Sequence, residues 1–524
     1  MGYEKLKISF EFVSIFIEML TKSKKRFFRR FGLEKLEDKC YNGIRVIMIK
    51  TILCKFFIPQ IKSIGGNCMS ETKKSLAELQ ALIADSAART RLTYLFDEGK
   101  FTELDAFAGE AAGVITAYGY ADGEPVYAFS QDVSVKSGAM TEAGARKIAK
   151  IYDLAAKTGT PVVGIYDSYG ADVNDSAAAL RAYGELMLWT ANLSGVVPQI
   201  AVVAGVCSGT AALLAEAADF VVMAKDASLY AAPNAKSNGS AENAAANGTV
   251  CAVCDDDKAA VEKARAILLK LPANNLSPVP VYEYEEPAAA AGSDIESLTK
   301  AVFDADSVIE LSEGFGGAAY TALATVNGET VGVAATNKTK DKLTEDDCAK
   351  LARFVRTCDA FAVPVVTFVD TEGFAGNDET EAAGAVKSMS KLAHAYAEAT
   401  TAKVSVVTGK AYGAAYIALA GKGANADVAY ALPTAVISAL DPVTAVEFME
   451  HDKLAGASDL ASARQALADE FAKTQASAAN AAVNGLVDGI VDASQLRSAV
   501  VDALAMMSGK RISRLPKKHS NIQL

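Results

Sequence analysis

The chain of 524 residues is poor in the residue types that usually build metal centres and catalytic triads. It contains three histidines, one tryptophan and eight cysteines. The cysteines are scattered, which argues against a disulfide framework and indicates a reducing compartment. The histidines, His394, His451 and His519, are too dispersed for a metal site or a triad, so we assign each to the surface or the core and predict no metal.

Excess positive charge is also missing from the main body of the chain. The net charge is −11 and no basic domain stands out, which argues against nucleic acid as a partner. Cys251 and Cys254 have the spacing of metal ligands, but no second pair lies nearby in the sequence. We interpret them as two half-buried thiols on a strand.

Residues 1–68 differ from the rest of the chain. They contain 14 Lys and Arg, 6 Asp and Glu and no Ala, whereas the chain from Met69 onward is Ala-rich and acidic. Charges interrupt their two apolar runs, and neither run reaches the ~20 apolar residues of a membrane span. Two interpretations remain open: an amphipathic anchor at a membrane surface, or a misassigned start with translation beginning at Met69.

The same series of elements occurs twice along the chain. The segments "GVITAYGYADGEPVYAFSQD" and "GAAYTALATVNGETVGVAATN" each predict a β-hairpin, with an Asp-Gly and an Asn-Gly turn. A buried strand ending near Asp167 or Asp370 follows, and then a turn of small residues at Gly209 or Gly413. The separations are 203 and 204 residues. This regularity predicts duplicated domains.

The order of elements in each half predicts an α/β fold. Helices between strands imply right-handed crossovers and mostly parallel sheets, and ligands then bind at the carboxyl ends of the strands, where both Gly turns lie. The Pro- and Ala-rich stretch from Pro278 to Asp294 predicts a linker. We therefore predict an atypical extension over residues 1–68 and two domains over residues 69–290 and 291–524.

Six further segments occur in order between Met69 and Leu524. They are "RLTYLFDEGKFTELDAF", "GEPVYAFSQDVSV", "SGVVPQIAVVAGVCSG", "ARFVRTCDAFAVPVVTFVD", "AYAEATTAKVSVVTGKAYGAAY" and "RLPKKHSNIQL". Together they resemble the carboxyltransferase subunits of biotin-dependent acyl-CoA carboxylases, of the propionyl-CoA carboxylase beta type. They are also similar to the corresponding subunits of sodium-pumping acyl-CoA decarboxylases. The resemblance implies tandem crotonase-like domains, built from duplicated ββα-type units.

The resemblance also implies a reaction that depends on backbone N–H groups. In this family a carboxyl group moves between carboxybiotin and a short-chain acyl-CoA, and two oxyanion holes stabilise the charge that develops on the thioester and biotin oxygens. Gly209 and Thr210 occupy the family's thioester-side positions, and Ala414 and Ala415 occupy its biotin-side positions. The substitutions of Gly by Thr and Ala preserve this chemistry only if the local φ is negative and the added methyl groups clear the ligand.

Other positions are expected to contact the substrates. The resemblance and the glycine-rich loops suggest seven of them: Gly170, Ala171, Ala211, Gly413, Ile417, Gly373 and Phe374. Ile417 corresponds to a residue that lines the acyl pocket in the family. Asp167 and Asp370 are predicted to cap the turns that follow their strands.

Several segments depart from the family's pattern. Asp172 stands where an Arg is usual, which would weaken contact with an anionic CoA. The polar stretch "APNAKSNGSAENAAANGTV" replaces a segment rich in His and Thr, and "EGFAGND" replaces a turn with two prolines. These differences leave a non-catalytic scaffold as a second hypothesis.

The chain is expected to work as one subunit of a larger enzyme. It lacks an Ala-Met-Lys-Met biotinylation motif and an ATP-binding Gly-rich motif. The predicted partners are therefore a biotin carboxyl carrier protein, with a biotin carboxylase or membrane decarboxylase subunits, and further copies of the chain in a dimer or hexamer. The predicted location is the cytoplasm, with attachment to the membrane through a decarboxylase complex as an alternative. Neither the acyl group nor the direction follows from the residues.

Overall fold

The computed structural model describes most of the chain beyond the basic extension. The described residues are 83, 85–108, 112–232, 234, 238–288, 292, 294–336, 338–339, 341–512 and 515–522. The account below concerns the compact unit of residues 81–524. Both interpretations of residues 1–68 fall outside the described residues. In the described part, no helix is long and apolar enough to cross a membrane.

Eight strands form the first sheet. They are β1 Phe101–Leu104, β2 Val114–Ala121, β3 Glu124–Gln131, β4 Val162–Ser168, β5 Gln199–Ser208, β6 Phe220–Ala224, β7 Ser228–Tyr230 and β8 Ala252–Cys254. The order is β1-β2-β3-β4-β5-β6-β8, with β7 beside β5. The pairs β1–β2 and β2–β3 are antiparallel, and the others are parallel. The helices of this half are α1 Ala87–Leu95, α2 Glu142–Thr158, α3 Ser176–Leu193, α4 Thr210–Glu216, α5 Ala241–Ala246 and α6 Asp257–Leu269.

The second sheet repeats this plan strand for strand. Its members are β9 Ile309–Leu311, β10 Tyr320–Val326, β11 Glu329–Ala335, β12 Val365–Thr371, β13 Lys403–Tyr412, β14 Val428–Ala431, β15 Val436–Ser438 and β16 Gly489–Ile490. The order is β9-β10-β11-β12-β13-β14-β16, with β15 beside β13. The helices are α7 Ile295–Val302, α8 Glu345–Ala360, α9 Asp378–Ala383, α10 Ala385–Glu398, α11 Gly413–Leu419, α12 Pro442–Met449, α13 His451–Ala455, α14 Leu460–Lys473, α15 Ala478–Val483 and α16 Leu496–Met507. The predicted α/β duplication is confirmed.

The two hairpin turns have the geometry that their sequences predict. Asp122 and Gly123 have φ values of 52° and 78°, and Asn327 and Gly328 have φ values of 50° and 78°. Two consecutive residues with positive φ define a type I′ turn, whose twist matches that of the flanking strands. Asn, Asp and Gly tolerate this conformation best, which is why these dipeptides predicted the turns.

An aspartate after the first helix of each half holds the hairpin turn. Asp97 accepts hydrogen bonds from both turn N–H groups at 2.8 and 2.9 Å and from Arg265 at 2.6 Å. Asp304 repeats the arrangement, with turn N–H groups at 3.1 and 2.8 Å and Arg497 at 2.7 Å. The duplication therefore extends to single hydrogen bonds.

The predicted linker packs along the second hairpin. The Tyr282 N–H donates to the Gly328 carbonyl at 2.9 Å, and the Ala305 N–H donates to the Glu285 carbonyl at 3.0 Å. The main hydrophobic core also contains buried residues from both halves. Because contacts continue across the linker, the boundary between residues 290 and 291 stays a prediction.

The C-terminal segment is attached through Glu398 at the end of α10. Lys517 and Ser520 donate hydrogen bonds to its carboxylate, and Arg356 lies 3.0 Å from it. Burial raises the pKa of Glu398, but these donors and cations outweigh burial and hold the pKa at about 2.

Lowering the pH should weaken the contacts between Glu398 and the C-terminal segment before the Glu398 carboxylate is fully protonated. A carboxyl group whose folded-state pKa is depressed stabilises the fold above its ordinary pKa, here 4.5, and loses that contribution as the pH falls through about 2. We expect Glu398→Gln to remove this part of the pH dependence of the free energy of unfolding between pH 4.5 and pH 2. Urea titrations at several pH values would show it, and equal slopes for both proteins would contradict it.

Candidate active site

The first candidate turn joins β5 to α4 through Gly209. This residue has φ 58° and ψ −118°, and the first helical hydrogen bond runs from the Leu213 N–H to its carbonyl at 3.1 Å. The N–H groups in the first turn of a helix have no helical acceptor. The Gly209 N–H itself donates to the Tyr230 carbonyl at 3.0 Å. Gly209 therefore shapes the turn, and Thr210 and Ala211 supply the N–H groups at the start of the helix.

The second candidate turn joins β13 to α11 through Gly413. Its φ is 50°, and a Cβ there would lie 2.8 Å from the Ala439 carbonyl oxygen. The Ala415 side chain is fully buried and that of Ala414 is exposed. Thr210, Ala414 and Ala415 are helical residues with negative φ. The first condition for Thr and Ala in place of Gly, a negative φ, is thus met, and the clearance of the added methyl groups from a ligand stays a prediction.

A second loop approaches each turn from the neighbouring strand. After β4, the Gly170 N–H donates to the Ser168 Oγ at 3.0 Å, and after β12 the Gly373 N–H donates to the Thr371 Oγ1 at 3.2 Å. The two glycines have φ values of 101° and 114°, which side chains rarely adopt. The sequence grouped these glycines with the substrate-binding residues, and the structure places them in equivalent loops.

Short parallel bridges fix the residues that follow these glycines. Ala171 pairs with Met140 and Phe374 pairs with Leu343. The Met140 N–H donates to the Gly170 carbonyl at 2.8 Å. The Leu343 N–H donates to the Gly373 carbonyl at 3.0 Å. Ala171 and Phe374 are therefore held beside the helices that begin at residues 142 and 345.

The two halves differ in how closely loop and turn approach each other. A Cβ on Gly170 would lie 3.0 Å from the Ser208 carbonyl oxygen and 3.4 Å from the Thr210 Oγ1. A Cβ on Gly373 would meet nothing within 4 Å. The structure therefore brings Gly170 and Thr210 together in the first half and leaves the second site more open.

Asp167 and Asp370 do not cap the turns that follow them, which corrects the prediction. Their carboxylates accept hydrogen bonds from the neighbouring strand, Asp167 from the Val206 N–H at 3.1 Å and Asp370 from the Lys410 N–H at 2.8 Å. Asp167 is also paired with the buried Arg91 at 2.8 Å. Both aspartates thus connect two parallel strands at the point where the strand register shifts.

The charge of Asp172 is balanced within the first half. Its carboxylate accepts hydrogen bonds from Asn174, and Lys136 lies 3.1 Å away. The Asn174 N–H, followed by Lys136, lowers the pKa of Asp172. A cavity of about 320 Å³ beside this pair is lined by Lys136, Thr141, Glu142, Ala143, Arg146, Asp172 and Asp175. Lys136 is thus paired with Asp172, and the weaker contact with an anionic substrate stays a prediction.

Each turn is flanked by an exposed aliphatic side chain at the same helical position. Leu213 on α4 is 62% exposed, and Ile417 on α11 is 59% exposed. Large aliphatic side chains gain free energy when a ligand or another protein covers them. The structure is therefore compatible with a contact at Ile417, and its acyl-pocket role stays a prediction.

The remaining titratable candidates lie away from the turns. His394 lies on α10, His451 begins α13 and His519 belongs to the C-terminal segment. Cys251 and Cys254 are half-buried beside and within β8, as predicted, and burial raises the pKa of both thiols. Among the described residues, no group of three or more His, Cys, Asp or Glu side chains could hold a metal ion.

Sequence reasoning missed one residue at the first turn. Tyr183 on α3 is 7% exposed, its helix contacts α4, and the hydroxyls of Thr210 and Ser168 oppose the rise that burial causes in its pKa. The signal in the sequence was weak, because a tyrosine on the apolar face of a helix usually only fills the core. These three side chains are called the hydroxyl cluster below.

Comparisons with known proteins agree with this architecture. Residues 85–522 match the model of the carboxyl transferase domain. The methylmalonyl-CoA decarboxylase alpha subunit of Propionigenium modestum is 35% identical, over 85% of this chain and 95% of its own length. The propionyl-CoA carboxylase beta chain of Saccharopolyspora erythraea is 34% identical, over 83% and 90%.

The solved structures identify the fold. The hexameric transcarboxylase 12S, solved with hydrolysed methylmalonyl-CoA bound, has a TM-score of 0.78 and 30% identity, over 86% of this chain and 94% of that chain. A single-chain, multi-domain long-chain acyl-CoA carboxylase has a TM-score of 0.70 at 23% identity and shares the fold. Two equivalent parallel-rich sheets, each with a Gly turn that begins a short helix, thus define a tandem crotonase-like protein. The chain belongs to the carboxyl transferase domain family.

Proposed function

We propose that the chain is the carboxyltransferase subunit that moves a carboxyl group between biotin on a separate carrier protein and a short-chain acyl-CoA. The observation that supports this most is the pair of equivalent turns at Gly209 and Gly413, each followed by helical N–H groups. Such groups suit reactions in which negative charge develops on an oxygen. The domains at residues 69–290 and 291–524 would contribute one turn each.

The first turn is proposed to bind the thioester. The N–H groups of Thr210 and Ala211 would donate to the thioester oxygen as it gains enolate character, with Gly170 and Ala171 alongside. A preorganised donor of this kind is worth about 3 kcal/mol in the transition state. Lys136 beside Asp172 would offer a cation to the anionic CoA.

The second turn is proposed to bind biotin. Carboxybiotin supplies the carboxyl group, and its ureido oxygen needs hydrogen-bond donors as charge moves onto it. Gly413 holds the backbone where a Cβ would collide with the Ala439 carbonyl, and the N–H groups of Ala414 and Ala415 follow. Gly373 and Phe374 border the same site, which is open enough to admit a ligand carried by another protein.

Two substrates and two directions are compatible with this site. The relatives include a methylmalonyl-CoA decarboxylase subunit and a propionyl-CoA carboxylase chain at nearly equal identity. Forward and reverse transfer share one transition state, so both turns serve either direction. We propose acetyl-CoA or propionyl-CoA as the carboxyl acceptor, and decarboxylation of malonyl-, methylmalonyl- or glutaconyl-CoA as the alternative.

The proposed assembly is a homo-oligomer, dimeric or hexameric, that works with other subunits. The hexamer of transcarboxylase 12S and the exposed Leu213 and Ile417 support this. A biotin carboxyl carrier protein would be one partner, and a biotin carboxylase or membrane decarboxylase subunits would be others. The proposed location is the cytoplasm, or the membrane surface if the decarboxylase complex forms. The scaffold hypothesis is less well supported, because both Gly turns are intact and lead into helices.

The test is the loss of a carboxyl group from an acyl-CoA in the presence of free biotin. Purified full-length protein is incubated with malonyl-CoA or methylmalonyl-CoA, with and without biotin, and the thioester products are measured. We expect biotin-dependent decarboxylation of methylmalonyl-CoA, because relatives named for methylmalonyl-CoA and propionyl-CoA match 85% and 83% of the chain. A folded protein without turnover of either compound would favour a different acyl-CoA first and the scaffold next.

A further inference from the structure

The hydroxyl cluster contains two buried hydroxyls without a hydrogen-bond partner. The Tyr183 Oη and the Thr210 Oγ1 are shielded from solvent, and neither makes a hydrogen bond within the described structure. Ser168 is fully buried, and its Oγ accepts the Gly170 N–H at 3.0 Å. A buried hydroxyl without a hydrogen-bond partner costs free energy. A rearrangement that paired the Tyr183 and Thr210 hydroxyls would therefore stabilise the cluster.

The two unpaired hydroxyls are neighbours. Burial raises the pKa of Tyr183 to about 12, while hydrogen-bonding interactions with the Thr210 and Ser168 hydroxyls oppose that increase. The helices that carry these hydroxyls, α3 and α4, contact each other, and Tyr183 and Thr210 do not meet the geometry of a full hydrogen bond. Since a phenol donates readily and a threonine hydroxyl can accept, a small shift of the turn would pair them.

The cluster joins three elements that meet at the first turn. Tyr183 lies on α3, Ser168 ends β4 and Thr210 begins α4. Thr210 also lies against the loop of Gly170, since its Oγ1 would be 3.4 Å from a Cβ on that glycine. A hydrogen bond between Tyr183 and Thr210 would thus fix the turn relative to the loop before it.

The second turn has no equivalent hydroxyl at its first N–H. Ala414 stands where Thr210 stands in the first half, while Thr371 repeats Ser168 and also accepts a glycine N–H. The repeat preserves the contact between strand end and loop but not the hydroxyl on the helix. The cluster is therefore a property of the proposed thioester turn and not of the fold in general.

We propose that Tyr183 is a positioning residue of the first turn, and that its hydroxyl donates to the Thr210 Oγ1 when an acyl-CoA thioester is bound. The hydrogen bond orients the Thr210 N–H toward the thioester oxygen. This inference rests on the proposed function of the first turn. Tyr183 does not touch the substrate, so its effect appears in the catalytic step more than in substrate affinity.

The test compares variants in the biotin-dependent decarboxylation of methylmalonyl-CoA. Tyr183→Phe and Thr210→Val each remove one hydroxyl with little change in shape. We expect each to lower kcat about five- to tenfold, with KM for methylmalonyl-CoA changed less than about twofold. The double variant should be no slower than the slower single variant, because both remove the same hydrogen bond. Thr210→Ser keeps the hydroxyl and should retain most of the wild-type rate.

Tyr152→Phe is the matched control. Tyr152 is also buried, and its hydroxyl lies 3.4 Å from the Thr190 Oγ1 in the contact between α2 and α3. It should leave kcat unchanged, and thermal denaturation of both variants would show that each is folded.

Three results would overturn the inference. The first is a kcat for Tyr183→Phe equal to that of Tyr152→Phe, and the second is a double variant whose loss is the product of the single losses. The third is a wild-type protein without biotin-dependent turnover of malonyl-, methylmalonyl- or glutaconyl-CoA, which would overturn the proposed function itself. Because wild-type turnover is measured first, failure of the function is separated from failure of the positioning role.

Discussion

Gly413→Ala is expected to reduce biotin-dependent decarboxylation of methylmalonyl-CoA by about 100-fold or more while the protein stays folded. The residue has φ 50°, and the added Cβ would lie 2.8 Å from the Ala439 carbonyl oxygen. Relief of that collision must move the turn, and with it the N–H groups of Ala414 and Ala415. Loss of one preorganised oxyanion donor costs about 100- to 1,000-fold in kcat.

The control for this prediction is Gly123→Ala in the first hairpin. Gly123 has φ 78°, and a Cβ there would meet nothing within 4 Å. The substitution places alanine in a comparable left-handed conformation, which costs about 1 kcal/mol. It causes no collision, and Gly123 lies far from the second turn in the sequence. We expect a modest loss of stability and a wild-type rate. Full activity of Gly413→Ala, measured at saturating biotin, would rule out the second turn as an oxyanion site.

Asp304→Ala is expected to lower the free energy of unfolding by about 3 kcal/mol. The side chain is 1% exposed and accepts two hydrogen bonds from the hairpin turn and one from Arg497. Its removal leaves two backbone N–H groups and a guanidinium without their acceptor in a shielded place, where breaking an ion pair costs several kcal/mol. Urea denaturation would measure the loss.

Asp97→Ala provides the matched comparison, because Asp97 makes the equivalent contacts in the first half. Its side chain is 36% exposed, so water can replace the lost carboxylate and the cost should be clearly smaller. Burial raises the pKa of Asp304, but the hydrogen bond from Gly328 and then Arg497 hold it below 3.8 overall. Its contribution is therefore present above about pH 4 and is lost as the pH falls. Equal losses for the two variants at pH 7 would show that burial does not control the effect.

The repeat in the sequence predicted most of the architecture. Asp-Gly and Asn-Gly between alternating strands predicted two type I′ hairpins, and the structure has both. The helices expected between the strands are present, among them Glu142–Thr158 and Glu345–Ala360. These features depend on residues close together in the chain, whose conformational preferences can be read locally.

The contacts within the candidate site were harder to predict. Asp167 and Asp370 were expected to cap their own turns, but each binds an N–H of the neighbouring strand about 40 residues later. The pairing of Asp172 with Lys136 spans 36 residues, and no spacing rule relates two such positions. The use of the Gly209 N–H by Tyr230 likewise depends on where β7 joins the sheet.

The sequence by itself determined the duplicated α/β plan, the position of both Gly turns and the resemblance to carboxyltransferases, because each depends on local conformational preference or on the order of motifs. Three features followed only from the tertiary structure. They are the N–H groups that have no acceptor at each turn, the pairing of Lys136 with Asp172, and the position of Tyr183 beside Thr210. The physical reason is that hydrogen bonding and charge balance depend on distances of about 3 Å between segments far apart in the chain. Chain folding sets those distances. The same turn motif therefore has different neighbours in the two halves of the chain.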